Sequence, residues 1–238
     1  NAAIMTNGAH TLNLGNFWLG WRPGGYQRTN TQNKGKSNEA LQDTSLLAKL
    51  PLLRVVAINN TAVASLAPLA GLKQLRNINA LDCPLPDLAA LAGIKTLQVL
   101  LCHSQLIQDL SPLSGLSALQ RLDLILTQVS DLSPLSGLSA LQSIGLSATQ
   151  VSDLSPLSGL SALQTIGLSE TQVSDLSPLS GLSALKELFL RSTQVSDLSP
   201  LRGMIERGHE VKVQGFGAIM VENCPLTIPP VEIAAQGN

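Results

Sequence analysis

Apolar side chains return along this chain every 22 residues, and within each return they fall at the same places. Residues 138–159 read LSALQSIGLSATQVSDLSPLSG, and residues 160–181 read LSALQTIGLSETQVSDLSPLSG. Residues 116–137 and 182–203 repeat the pattern closely, while 50–71, 72–93 and 94–115 keep its length with looser sequence. In 138–159, Ile144 and Leu146 alternate at period two, so both point the same way from a short strand. Stacked copies then predict a parallel sheet with about 4.8 Å between strands. The other half of each copy, DLSPLSGL, predicts a tight return. Asp153 can cap the turn, Pro156 fixes φ, Leu154 and Leu157 point inward, and Gly159 permits the bend into the next copy.

Leu141, Ile144 and Leu146 stand at the spacing L-x-x-L-x-L, followed by Thr149 and Val151. This is the pattern of a leucine-rich repeat. Thr149 takes the place that asparagine usually holds there, and its hydroxyl can bond backbone groups at the turn. Cys83 holds that place in the second copy and is expected to be structural. The length and short turns resemble the internalin-like class of bacterial leucine-rich repeats, over residues 50–203. The resemblance implies an α/β repeat fold: a right-handed, curved solenoid with a parallel β-sheet on the concave face. Short turns or 3-10 segments would cover the convex face.

The flanks depart from the period, as solenoid caps do. Residues 1–49 read as a capping repeat: a short helix, a turn at Asn7-Gly8, then a strand with Leu12 and Leu14 inward. A polar insertion at about 20–43 interrupts it. Residues 204–238 read as a C-terminal cap and exit segment, with Val211 and Val213 on one strand and Ile219 and Val221 on another. Asn223 is expected to restore the missing asparagine, and VEIAAQ to begin a helix. The run Asn223-Cys224-Pro225-Leu226-Thr227, with Pro229, Pro230, Glu232, Ile233, Gln236 and Gly237, resembles the segment that joins repeats to the GTPase in bacterial Roco proteins. That implies a neighbouring domain, with any nucleotide chemistry outside these residues.

Composition narrows the function. Formal charge is −1 and only 13% of residues are charged, which gives no electrostatic case for nucleic acid or an anionic membrane. Aromatics are 3% against 44% hydrophobic, a diet suited to thin leucine layers. No apolar run approaches the roughly 20 residues of a membrane span. The first residues lack a signal peptide's basic start and apolar stretch, and Cys83, Cys102 and Cys224 fit neither a disulfide framework nor a zinc site. The expectation is a reducing cytoplasm, no cofactor, no metal and no enzyme activity. His10, His103 and His209 fall in layers too far apart to meet. The column Asp109, Asp131, Asp153, Asp175 and Asp197 reads as turn caps rather than a calcium ladder. Gly35-Lys36-Ser37 lacks the glycine of a phosphate loop, since Asn30 stands there. Asn59-Asn60-Thr61 is formally a glycosylation sequon.

Function is then expected on the concave face, where the near-identical copies differ. Those positions read Arg121, Asp123, Ile125, Leu126; Ser143, Gly145, Ser147, Ala148; Thr165, Gly167, Ser169, Glu170; and Glu187, Phe189, Arg191, Ser192. The third copy adds Val99, Leu101, His103 and Ser104. The expected role is recognition of a protein partner or a neighbouring domain, with Phe189 exposed as an aromatic anchor between Glu187 and Arg191. A secreted adhesin or effector of internalin type is the alternative, and regulation of an enzyme lying outside these residues is a second.

Overall fold

The structure is a computed structural model that describes residues 10–13, 44–209, 211–212 and 219–227. Strands β1 (Thr11–Asn13), β2 (Val55–Ala57), β3 (Asn77–Leu81), β4 (Val99–His103) and β5 (Arg121–Asp123) come first. They are followed by β6 (Ser143–Gly145), β7 (Thr165–Gly167), β8 (Glu187–Phe189), β9 (Val211–Lys212) and β10 (Ile219–Met220). All lie in one sheet in the order β1-β2-β3-β4-β5-β6-β7-β8-β10-β9. Every pairing is parallel, and repeat positions stay in register: Leu122 faces Ile144, Ile144 faces Ile166, and Ile166 faces Leu188. Between strands the chain returns through 3-10 turns such as Ser155–Leu157. A short helix α1 (Arg202–Glu206) follows the last of these turns.

The period explains the core. Leu141, Ile144, Leu146, Val151, Leu154 and Leu157 are all buried, and their equivalents in the other copies join them in one continuous cluster. On the convex side Asp153 caps as its position predicts, its carboxylate accepting from the Ser155 N–H at 2.8 Å. Hydrogen bonds from the Ser155 side chain and amide hold this carboxyl below the usual carboxylate range. Thr127, Thr149, Thr171 and Thr193 are buried, and each hydroxyl donates to a backbone carbonyl three residues earlier at 2.6–2.8 Å.

The asparagine column needs one correction. Ile219 is in register with Leu188, so Cys224, five residues on, occupies the place of Thr193. Its thiol donates to the Leu190 carbonyl at 2.9 Å, as the Cys83 thiol donates to Ile58 at 2.9 Å. Asn223 sits one residue earlier, at φ 58°, in the left-handed turn position where Asp82 precedes Cys83 at φ 55°. The physical reason is a division of labour: the buried column needs a donor, while the left-handed backbone suits asparagine or aspartate. The third copy also differs. Gln105 in the column is exposed, and the buried Ser104 hydroxyl instead donates to the Leu85 carbonyl at 2.8 Å.

Leu12 is buried and β1 pairs with β2. The expected N-terminal helix, the Asn7-Gly8 turn, Leu14, the 20–43 insertion with Gly35-Lys36-Ser37, Val213 and the VEIAAQ helix lie outside the described residues.

Candidate functional site

Parallel pairing lines up the varied positions in columns across the concave face. Arg121, Ser143, Thr165 and Glu187 form one column, and Asp123, Gly145, Gly167 and Phe189 form the next. The two glycines leave a shallow floor at the middle of the sheet. One end of that floor is built around Asp123. A Cβ placed on Gly145 would come 2.7 Å from Asp123 Oδ1, so the carboxylate lies over this glycine. The same Oδ1 is 3.2 Å from His103 Nε2 and accepts from the Ile125 N–H at 3.3 Å.

Three candidate residues are less accessible than their positions suggest. His103 and Asp123 are each 6% exposed, because each covers the other. Phe189, expected to be exposed, is 8% exposed. The register itself is as expected, since Leu188 and Leu190 point inward and are fully buried. What differs is the neighbour: β10 joins the sheet beside β8 and sets Met220 against Phe189. The end of the repeat array is therefore not the end of the sheet, and the ring is flanked by a further strand.

The remaining candidates face outward. Arg191 is exposed, its Nε 3.5 Å from Glu222 Oε2. Glu187 is half-buried and accepts from the Thr165 hydroxyl at 3.1 Å. Arg121 and Ile125 are half-buried, and Glu170 is exposed. Leu126 is 47% exposed with a left-handed φ of 63°. A leucine there strains the backbone by about 1 kcal/mol where asparagine or aspartate would not. Leu106, 56% exposed in the layer before it, was not singled out by position. The signal was present: the later copies hold Gln128, Gln150, Gln172 and Gln194 at that place.

The groups that suggested chemistry have local partners. His10 Nδ1 is 3.1 Å from the Leu52 carbonyl, and His209 Nδ1 is 3.1 Å from that of Met204. Burial pushes the Cys102 thiol up to about 12 and also raises Cys83, so neither thiol is a nucleophile near neutral pH. Asn59 is buried, with its carboxamide oxygen accepting from the Leu81 N–H at 3.0 Å. That environment explains the Asn59 side chain without a glycan.

A one-layer-per-repeat parallel sheet backed by 3-10 turns defines a leucine-rich-repeat protein. Residues 161–203 match the family model described as Leucine Rich repeats (2 copies). Internalin C2 (inlC2) of Listeria monocytogenes is 31% identical, with a TM-score of 0.63, over 76% of this chain and 72% of that one. The internalin inlF of the same organism is 28% identical, with a TM-score of 0.64. That match covers 68% of this chain and 48% of inlF, so this chain spans about half the length of that relative. A plant peptide hormone receptor, RGFR1 in complex with RGF2, shares the fold at 17% identity and TM-score 0.58, over 68% of this chain and 28% of that one. No curated protein matches the sequence. The chain belongs to the internalin-like leucine-rich-repeat family, a family of binding folds.

Proposed function

We propose that this chain is a recognition domain that receives a protein on its concave sheet. One observation carries the reading: across residues 116–203 the layers keep nearly the same sequence, and most of what changes falls in the columns that face that side. The floor of Gly145 and Gly167 lets a partner backbone approach, between the His103–Asp123 pair and the Glu187–Arg191 edge. Leu126 supports the reading, because an exposed leucine in a strained left-handed turn contributes little to the core.

Two settings are consistent with such a domain. The resemblance of Asn223–Gly237 to the Roco joining segment supports a cytoplasmic signalling parent, whose occupant is a neighbouring domain or its regulator. The 31% identity to inlC2 favours a second reading, an exported recognition domain acting outside the cell. The coding sequence on either side separates them: a GTP-binding motif downstream supports the first, and a signal peptide upstream the second.

Quantitative affinity capture from the native cell tests recognition. Leu126→Asn suits the left-handed backbone and removes only the apolar contact, and Glu170→Lys reverses an exposed charge. Each should reduce capture of a specific partner about tenfold, about 1.4 kcal/mol of binding energy. The melting temperature should be unchanged for Glu170→Lys and raised by about 2–4 °C for Leu126→Asn as the strain is relieved. Convex Ser183→Ala should do neither. Equal capture by all variants would place the interface elsewhere.

A further inference from the structure

Charge is unevenly distributed along the solenoid axis. Residues 44–98 carry five cations against two carboxylates, whereas residues 99–200 carry three cations against eight carboxylates. The chain as a whole is nearly neutral, so this polarity is invisible in its net charge of −1.

Four of the five cations fall in two stacked columns of three neighbouring layers. Arg54 and Arg76 stand directly before β2 and β3 and stack in neighbouring layers, the Arg76 N–H donating to the Arg54 carbonyl at 2.8 Å. Lys73 and Lys95 stack in the turn three residues earlier in the copy. The Thr96 hydroxyl ties those turns together, donating to the Lys73 and Leu75 carbonyls at 3.0 and 2.7 Å. All four side chains are exposed. Among the described residues the ion pairs are His103–Asp123 and Arg191–Glu222, and neither involves this group. Asp82 lies beyond the opposite end of β3, and Asp87 is engaged by the Ala89 N–H at 2.9 Å on the convex side.

The scaffold does not require these charges. Like charges opposed on neighbouring strands are destabilising. In the next layers the same columns hold Gln120, Gln142 and Gln164, and Ser117, Ser139 and Ser161, which stack without that cost. Three layers span about 10 Å at the spacing of parallel strands. That is comparable to the Debye length of about 8–10 Å at physiological salt, so the cations act together.

We propose that this N-terminal rim of the sheet docks a short acidic segment of a partner protein, rich in Asp and Glu. The chemistry favours this occupant over a membrane or nucleic acid. A flat anionic surface or a long polyanion would run on from the rim into layers where the same columns hold neutral Gln and Ser, and would gain nothing further there. A short acidic peptide fits inside the basic layers alone, and the arginine forks suit carboxylates. This contact lies apart from the central floor, so its failure leaves the concave-face reading standing, and the reverse.

The test is fluorescence anisotropy with the chain and a labelled peptide of mixed Asp and Glu. Saturable binding is expected, weakened by raising salt from about 50 to about 300 mM. Neutralising Arg54→Gln, Arg76→Gln and Lys95→Gln together should weaken it about tenfold or more, while Lys186→Gln with Arg191→Gln at the other end leaves it within about twofold. The pair Arg54→Lys and Arg76→Lys keeps the charge but loses the forks, and should bind between wild type and the neutralised triple variant, which separates charge from folding. The proposal is overturned if both neutralised variants bind like wild type. It is equally overturned if phosphatidylserine vesicles or a short DNA duplex bind the chain more tightly than the peptide.

Discussion

Phe189 and Met220 stand side by side in register on neighbouring parallel strands, although the intervening chain passes through α1 and β9. This pairing turns a residue of the binding face into part of the terminal packing. Phe189→Ala should therefore destabilise the protein by about 3 kcal/mol, at the lower end for buried aromatics because the ring lies at the sheet surface. Urea unfolding measures it; a loss below about 0.5 kcal/mol, as for an open surface position, would show that Met220 does not shelter the ring.

Gly145 and Asp123 are coupled by space. Gly145→Ala sets a methyl group against the Asp123 carboxylate, which must leave His103 and the Ile125 N–H. The expected cost is about 1–2 kcal/mol, the loss of charge-assisted hydrogen bonds. In an Asp123→Ala background the same substitution should cost nearly nothing. A double-mutant cycle with no coupling energy would contradict the placement of the carboxylate.

The thiols should differ in reactivity. Cys83 and Cys102 are buried and their thiols are raised, whereas Cys224 is half-buried. Titration of the folded chain with a thiol-specific disulfide reagent at neutral pH should modify Cys224 first, and the other two only on unfolding. Rapid reaction of Cys102 would show that its layer opens.

The convex carboxylates set an acid limit. Asp131, Asp153 and Asp175 are held below their ordinary value of 3.8 by hydrogen bonds from the following serine's side chain and amide. A carboxyl depressed in the folded state adds stability that is present above its unfolded value. That stability fades as pH falls through the folded value. Denaturant midpoints should thus hold from neutral pH to about 4 and then decline. The triple variant with Asp131→Asn, Asp153→Asn and Asp175→Asn should start lower and decline less. Parallel curves for the two proteins would remove the caps from the account.

Most of the fold was legible because a solenoid writes each layer into one stretch of sequence. Leu146, Val151 and Asp153 need only their own copy and the next to explain them. The errors arose where a layer depends on distant chain. Phe189 is covered by a strand thirty-one positions on, and Cys224 takes its column place from Leu190 and Thr193 in the last repeat. His103 and Asp123 were legible as concave residues but not as each other's cover. That contact depends on how far β4 extends before its turn, and no spacing rule states it.

Recognition on the concave face is tested most directly by where a bound partner can be cross-linked. A photoreactive amino acid placed at Ser169, half-buried on the concave side, should capture the partner in the native cell. The same group at Ser180, exposed on the convex side, should leave it uncaptured. Capture at Ser180 with none at Ser169 would contradict the account and move the binding surface to the other face of the solenoid.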